Sequence, residues 1–289
     1  MGWIARRKLA AAVCNAGGLG IIETSSGEIE NCIEEIKAMP KLTDQPFGVN
    51  LPLMFLADDR MVNIVADAGV KFVTTSAGDP SKYIQILKDA NITVFHAVPS
   101  LKGALKAVDA GVDGLVVEGT EGGGFKASEE VGLHVLIQSI KKHTDIPIVA
   151  AGGIVDGRGM AAAFAAGAEG IQMGTRFVSS LESPVHENYK NKIIESSEEG
   201  TFILNKKGRP CIRALKSNLT EEIYEKGVMD MSALGGIKNL YFEGDMEAAP
   251  ALAGQSIGLI DEVKPVKNII EETIAEFNAI CDAMPMAKL

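Results

Sequence analysis

Two glycine turns, each placed after a short apolar run, are the parts of this sequence best suited to chemistry. Gly152 and Gly153 follow the apolar residues 146–151, and Gly174 follows residues 170–173. Because glycine has no Cβ, such turns let an anion approach the backbone N–H groups. Helices that begin after the turns would add the positive ends of their dipoles. The pattern predicts a phosphate site, with ordinary tight turns as the alternative.

Strand and helix patterns alternate along most of the chain. Short apolar runs predict strands at residues 19–22, 47–50, 72–75, 93–98, 114–118, 148–151 and 170–173. Amphipathic spacing predicts helices at residues 5–15, 28–39, 58–68, 81–90, 101–110, 128–143 and 157–166. Glycine or asparagine after several of these helices predicts left-handed helix ends. The alternation favours a TIM (β/α)₈ barrel of the α/β class over a Rossmann sheet, because the dinucleotide fingerprint is absent.

The predicted strands are one fewer than a closed barrel needs, and the first helical pattern begins near residue 5. We therefore predict a barrel that lacks its first strand at the N-terminus, and we expect that strand to precede Met1. The alternation stops after Phe177, where the sequence becomes more polar and rich in turns. This change predicts three parts: a barrel domain over 1–178, a small, mainly helical lid over 179–248, and closing helices over 249–289.

Composition excludes several classes of partner. The chain has 289 residues, 46% of them hydrophobic and 23% charged, and its formal net charge is −10. This acidic balance argues against nucleic acid or an anionic membrane surface as the main partner. The four cysteines lie far apart without metal-ligand spacing, so we expect no metal site and reduced thiols. We find no signal peptide and no membrane-spanning run, and we predict a cytoplasmic protein.

Six motifs together suggest a family. They are the segments at residues 15–22, 46–51, 118–124, 150–154, 172–177 and 253–258, which read NAGGLGII, PFGVNL, EGTEGGG, AAGGI, QMGTRF and AGQSIG. In content and order they resemble the FMN-dependent nitronate monooxygenase (2-nitropropane dioxygenase) family. That family includes the flavin enoyl-ACP reductases of type II. The resemblance covers nearly the whole chain, but it does not separate the two activities.

The resemblance implies FMN across the carboxyl-terminal mouth of a TIM barrel, beneath a small helical domain. By position, the FMN phosphate would be held by Gly152, Gly153, Met173, Gly174 and Thr175. The flavin ring region would be contacted by Asn50, His96, Glu118 and Gly119. Asn50 also ends an apolar strand, where barrels place functional groups, although an asparagine that caps a turn is the alternative.

The sequence departs from the family pattern at two places. The family's first strand ends in Gln-Gly-Gly-Met, of which only Met1 remains here. The family also places a histidine after the glycines that follow Glu118, and here that residue is Phe125. Phenylalanine cannot transfer a proton, so Lys126 and Glu121 are the nearest ionisable candidates in the loop, with Lys126 the candidate catalytic residue. The alternative for Lys126 is an ordinary solvated lysine.

Three functions remain open at this point. The first is an FMN-dependent oxidoreductase that oxidises alkyl nitronates with O₂, in which the loss of the histidine favours nitronates over neutral nitroalkanes. The second is an NAD(P)H-dependent enoyl-ACP (enoyl-thioester) reductase, with an acidic carrier docked on a basic cluster made of Lys206, Lys207, Arg209, Arg213 and Lys216. The third is a flavin- or phosphate-binding barrel without catalysis. The expected partners are a small-molecule substrate and a second copy in a homodimer.

Overall fold

The computed structural model describes residues 1–56 and 59–284. The strands are β1 (Ile21–Glu23), β2 (Gly48–Pro52), β3 (Phe72–Ser76), β4 (Thr93–Val98), β5 (Gly114–Glu118), β6 (Gly124–Lys126), β7 (Ile148–Ala151), β8 (Gly170–Gln172), β9 (Thr201–Leu204) and β10 (Cys211–Leu215). The α-helices are α1 (Arg7–Asn15), α2 (Ile29–Ala38), α3 (Arg60–Asp67), α4 (Ile84–Asp89), α5 (Leu101–Asp109), α6 (Leu133–Lys141), α7 (Gly157–Ala166), α8 (Thr175–Val178), α9 (Glu187–Ile194), α10 (Asn218–Lys226) and α11 (Val266–Ala283).

Short helices of other types complete the chain. The 3₁₀ turns are Met39–Lys41, Leu53–Phe55, Pro80–Lys82, Met231–Leu234 and Gln255–Leu259, and a π-helix spans Asn239–Glu243.

Seven parallel strands form one curved sheet in the order β1-β2-β3-β4-β5-β7-β8. Their registers bring the carboxyl ends together, since Glu118 of β5 pairs with Ala151 of β7, and Ala151 pairs with Gln172 of β8. The strands are buried from both sides, as the fully buried residues 114–117 of β5 show. The predicted α/β architecture, a TIM barrel-like sheet of seven strands in the described chain, is confirmed.

The N-terminal residues lie along the open edge of β1. The backbone N–H of Glu23 donates to Ala5 O at 3.0 Å, and Trp3 N donates to the Glu23 carboxylate at 3.0 Å. Arg6 forms an ion pair with the same carboxylate at 3.0 Å. Glu23 is buried, and Trp3 N and Arg6 compensate its charge together with donors from Ser25 and Ser26. The first six residues thus satisfy part of the polar edge that the seven-stranded sheet presents.

The helix ends largely follow the sequence prediction. Gly69, Asn91, Gly111 and Gly167 all have positive φ, between 56° and 112°, which confirms the expected left-handed exits. The prediction over 128–143 was too long, because α6 begins only at Leu133. The prediction over 81–90 divides into a 3₁₀ turn and α4. Residue 58, at the predicted start of the third helix, lies outside the described residues.

A second, antiparallel sheet joins the barrel to the segment after α8. Its order is β6-β10-β9, so β10 pairs both with β9 and with β6, which belongs to the loop after β5. The helical expectation for 179–248 missed this sheet. All five residues of β10 are buried, so the run lacks the alternation that reveals a strand in sequence. The division of the chain into three parts stays a prediction.

Helix α11 packs closely on α7, as the residues at the start of α7 require. Gly157 N donates to the Glu276 carboxylate of α11 at 3.0 Å. A Cβ on Gly157 would lie 2.6 Å from Thr273 O and 2.7 Å from Glu276 Cβ. Phe164 and Phe277 extend the contact, with ring centroids 5.1 Å apart. The absence of a side chain at Gly157 therefore sets how near the two helices approach.

We expect Gly157→Ala to lower the free energy of unfolding by about 1–3 kcal/mol, because the added methyl group forces α7 and α11 apart. The matched control is Gly170→Ala, whose Cβ would meet only Val149 Cγ2 at an ordinary 3.4 Å. Urea unfolding of both variants checks the prediction. Equal stabilities for the two variants would show that the helix contact tolerates the methyl group.

Candidate functional site

The two glycine turns lie at the carboxyl end of the parallel sheet, as predicted. Gly152 and Gly153 have φ of 94° and 76°, which strains any residue with a Cβ. Gly174 precedes α8, and Thr175 is the first residue of that helix. Among the residues that the structure describes, the backbone N–H groups of these four residues donate to no protein acceptor. They are partly exposed and available for an anion.

Met173 and Met1 border the same turn. Met173 is half-buried and packs between two apolar clusters of the barrel. The Met1 sulfur lies 3.9 Å from where a Cβ on Gly174 would sit. Thr175 Oγ1 accepts a hydrogen bond from Gly254 N at 3.0 Å, so the C-terminal segment also contacts this turn. The turn is therefore closed by apolar atoms and one hydroxyl, with its backbone N–H groups left free.

The dipole of α7 is not available to an anion, contrary to the expectation that both helices would contribute. Gly159 N donates to the Asp156 carboxylate at 2.8 Å, and Gly157 N donates to the Glu276 carboxylate at 3.0 Å. Two carboxylates already compensate the positive end of α7. Asp156 was recognisable as an N-cap, but Glu276 comes from 119 residues away. No local pattern in the sequence indicates that contact.

Glu118 and Lys126 form an ion pair beside the glycine turns. The Lys126 ammonium donates to Glu118 Oε1. The Lys126 side chain is only 3% exposed, whereas that of Glu118 is 32% exposed. The interpretation of Lys126 as a solvated lysine is therefore wrong, because its charge is buried against a carboxylate. Gly122 makes room for this pair, since a Cβ there would lie 2.8 Å from Lys126 Nζ.

The other ionisable candidate of this loop has a structural task. Both carboxylate oxygens of Glu121 accept from Leu133 N at 3.0 Å, at the start of α6. Glu121 O accepts from Gln255 N at 2.8 Å. Gly119 N donates to Ala151 O at 3.0 Å, which holds the start of the loop to β7. Glu121 is thus engaged in holding the loop, and Lys126 is the loop cation nearest to Glu118.

Asn50 on β2 and His96 on β4 face opposite sides of the parallel sheet, so the structure does not bring them together. Asn50 pairs with Thr74, whereas His96 pairs with Thr75 and shares the face of the buried Leu51. The Asn50 amide donates to Thr74 Oγ1 at 2.9 Å and to Ser76 Oγ at 3.3 Å. Thr75 Oγ1 lies 2.8 Å from His96 Nδ1, within hydrogen-bond distance. Burial lowers the pKa of His96, and Asp79 opposes this shift. The two predicted flavin contacts are therefore fixed polar groups, and His96 is held neutral near pH 7.

One member of the basic cluster proposed for a carrier protein is not on the surface. Arg213 is buried in β10, where it donates to Thr120 O at 2.9 Å and to Thr201 Oγ1 at 3.0 Å. Lys206 pairs with Glu130 at 2.8 Å. Sequence reasoning missed the structural role of Arg213, which links the antiparallel sheet to the loop after β5. Its position inside the apolar run CIRAL was the available signal, since an arginine buried there needs partners.

The nitronate monooxygenase family model matches residues 1–59 and 53–276, in two overlapping segments. The chain belongs to the nitronate monooxygenase family. Two solved structures are similar to this chain over nearly its whole length. The structure of FabK from Thermotoga maritima has 40% sequence identity and a TM-score of 0.92, with 98% of this chain and 92% of that chain covered. The nitroalkane oxidase of Streptomyces ansochromogenes has 26% identity and a TM-score of 0.87, with 98% and 95% covered.

A curated relative extends the range of names in this family. It is the (3aS,4S,5R,7aS)-5-hydroxy-7a-methyl-1-oxo-octahydro-1H-indene-4-carboxyl-CoA dehydrogenase of Rhodococcus jostii, 29% identical over 331 residues, with 98% of this chain and 92% of the relative covered. Nitronate monooxygenase family members are flavoenzymes, and this member is an oxidoreductase. In the described ranges, no helix is long and apolar enough to cross a membrane. The same ranges contain no cluster of three His, Cys, Asp or Glu suited to a metal ion.

We expect His96→Gln to reduce the loss of stability on acidification. Below about pH 6.5, an unfolded histidine takes up a proton that the buried, folded His96 resists. The free energy of unfolding of the native chain should therefore fall with pH below 6.5, by at most about 1.4 kcal/mol per pH unit from this group. Urea unfolding between pH 7.5 and 5.5 checks this. His143→Gln, at an exposed position, should keep the native slope, and an unchanged slope in His96→Gln contradicts the prediction.

Proposed function

We propose that the protein is an FMN-dependent oxidoreductase that oxidises alkyl nitronates with O₂. The observation that carries the proposal is the set of free N–H groups on the two glycine turns, in a chain of a flavoenzyme family. Gly152, Gly153, Met173, Gly174 and Thr175 would hold the FMN phosphate. A Cβ on Gly152 or Gly153 would meet Gly122 N at 2.9 Å or Glu121 Cβ at 3.2 Å, so only glycine lets the loop after β5 lie against this turn.

Most of the remaining predicted residues suit the flavin ring. Asn50 offers a fixed polar group from β2, and Glu118 with Gly119 ends β5 opposite it. His96 faces the helix layer instead, so we no longer assign it a flavin contact. Bound FMN supplies the electron exchange between substrate and oxygen. The protein supplies position and charge.

We assign Lys126 the role of a hydrogen-bond donor and fixed positive charge rather than that of a free base. It already donates to Glu118, and its side chain is buried. Phe125 can neither accept nor donate a proton. A nitronate arrives as an anion and needs no proton removed, whereas a neutral nitroalkane does. The site therefore suits a substrate that is already deprotonated. We also propose a cytoplasmic location, in line with the four unpaired cysteines.

We expect Gly153→Val to weaken FMN binding at least tenfold, because the side chain intrudes on the phosphate turn and strains it. The control is Gly111→Val, at a helix end with a similar φ of 86° and nothing within 4 Å of its Cβ position. Both variants carry comparable backbone strain, but only the first lies at the proposed site. Fluorescence titration with FMN checks the prediction. Native affinity in Gly153→Val would place the phosphate elsewhere.

A second function is an NAD(P)H-dependent enoyl-thioester reductase. The specific support is the 40% identity to FabK across 98% of the chain, which exceeds the identity to the nitroalkane oxidase. The relative from Rhodococcus jostii is named for a coenzyme A thioester substrate, which agrees with this alternative. Burial of Arg213 leaves four exposed members of the basic cluster proposed for a carrier protein. The coenzyme A thioester in the name of the Rhodococcus jostii relative favours that form of thioester.

The two functions differ in what reduces the flavin. We expect oxidation of the ethyl nitronate anion to exceed that of neutral nitroethane at least tenfold in kcat/KM, since Phe125 cannot remove a proton. We expect anaerobic NADH and NADPH to leave the flavin spectrum unchanged over minutes. Stopped-flow absorbance and oxygen consumption measure both. Rapid bleaching by a reduced nicotinamide, with turnover of an enoyl thioester, would establish the reductase instead.

A further inference from the structure

An exposed group of apolar side chains borders the candidate site. We call it the apolar rim and define it as Met54, Phe55 and Phe125. These side chains are 75%, 50% and 41% exposed. The two phenylalanine rings are in contact, with centroids 5.8 Å apart and planes tilted by 32°. Single exposed apolar residues are common, but an exposed cluster at a site entrance is typical of a ligand surface.

The rim is built from the same strands that carry the site. Phe55 ends the 3₁₀ turn after β2, the strand of Asn50, and Phe125 lies in β6 just after β5, the strand of Glu118. Met54 N donates to Ala77 O at 2.8 Å, which places the turn over the end of β3. The ring contact therefore joins two sides of the barrel mouth. The rim therefore lies at the same end of the barrel as the candidate site.

The rim carries no charge. Residues 53–56 are Leu, Met, Phe and Leu. Phe125 is followed by Lys126, but that ammonium is buried against Glu118 on the opposite face of β6. A charged or strongly polar ligand group would lose hydration here without gaining a partner. The matching chemistry is hydrocarbon.

We propose that the apolar rim binds an unbranched alkyl chain of the substrate, and that Phe55 and Phe125 determine the preferred chain length. This inference rests on the proposed function, whose reacting group would lie beside Glu118 and Lys126. Because the two rings already contact each other, an aromatic ligand ring cannot insert between them. Their outer edges and the flexible Met54 form a strip that a flexible chain can follow.

The expected signature is a dependence on chain length. Burying one methylene group is worth about 0.8 kcal/mol, which corresponds to about fourfold in affinity. Because the rim is open on one side, we expect about twofold to fourfold per methylene. In Phe55→Ala and Phe125→Ala the increment should fall below about 1.5-fold.

The experiment uses two series. The first is kcat/KM for the nitronates of nitroethane, 1-nitrobutane and 1-nitrohexane. The second is calorimetric binding of butanoate, hexanoate and octanoate to the purified protein, which needs no turnover. The matched control is Phe242→Ala, an exposed phenylalanine of the π-helix that contacts Tyr241 rather than the rim. It should keep the native increment in both series.

The outcomes separate this inference from the proposed function. An alkanoate increment that disappears in the rim variants supports the rim even when no nitronate turns over, in which case only the proposed function fails. Nitronate turnover with no chain-length increment, or an increment that survives in both rim variants, overturns the rim. Tighter binding of benzoate than of hexanoate, lost in the same variants, overturns the alkyl assignment in favour of an aromatic ligand.

Discussion

Close contact between backbones at the glycine turns is the constraint on which the rest of the site depends. A Cβ on Gly152 would lie 2.9 Å from Gly122 N, and one on Gly123 would lie 2.6 Å from the Ala253 carbonyl carbon. A Cβ on Gly254 would lie 2.7 Å from Glu121 O. Three segments distant in sequence therefore meet without side chains between them. Their approach leaves peptide groups, rather than side chains, facing the proposed phosphate site.

The loop between β5 and α6 connects this contact to the lid. Gly119, at the start of the loop, donates a hydrogen bond to β7. Glu121 accepts one from the C-terminal segment, and residues 124–126 form β6 against β10. Arg213 fastens the loop a second time through Thr120 O. Breaking one partner of a buried charged hydrogen bond costs more than the bond itself contributes, so the loop is held in one conformation. The position of Lys126 is thus determined jointly by the barrel and the lid.

Much of the fold was predictable because its signals are local. Apolar runs gave the parallel strands, and glycine or asparagine gave the helix ends. The family and its motifs were also recognisable from short segments. What escaped prediction depends on distant partners: Glu276 compensating α7, Arg213 reaching Thr120 O, and β10 pairing with β6. The burial of Lys126 belongs to the same class, since no local pattern distinguishes it from a solvated lysine.

The short strand β6 has one further consequence. Phe125 and Lys126 are adjacent and point to opposite faces, and their pairing opposite Ile212 and Cys211 determines which face each takes. A shift of β6 by one residue against β10 would exchange the two, placing the ring inside and the ammonium in solvent. The register between β6 and β10 therefore determines two things together. It decides whether a charged side chain lies beside Glu118, and whether an apolar side chain lies at the rim.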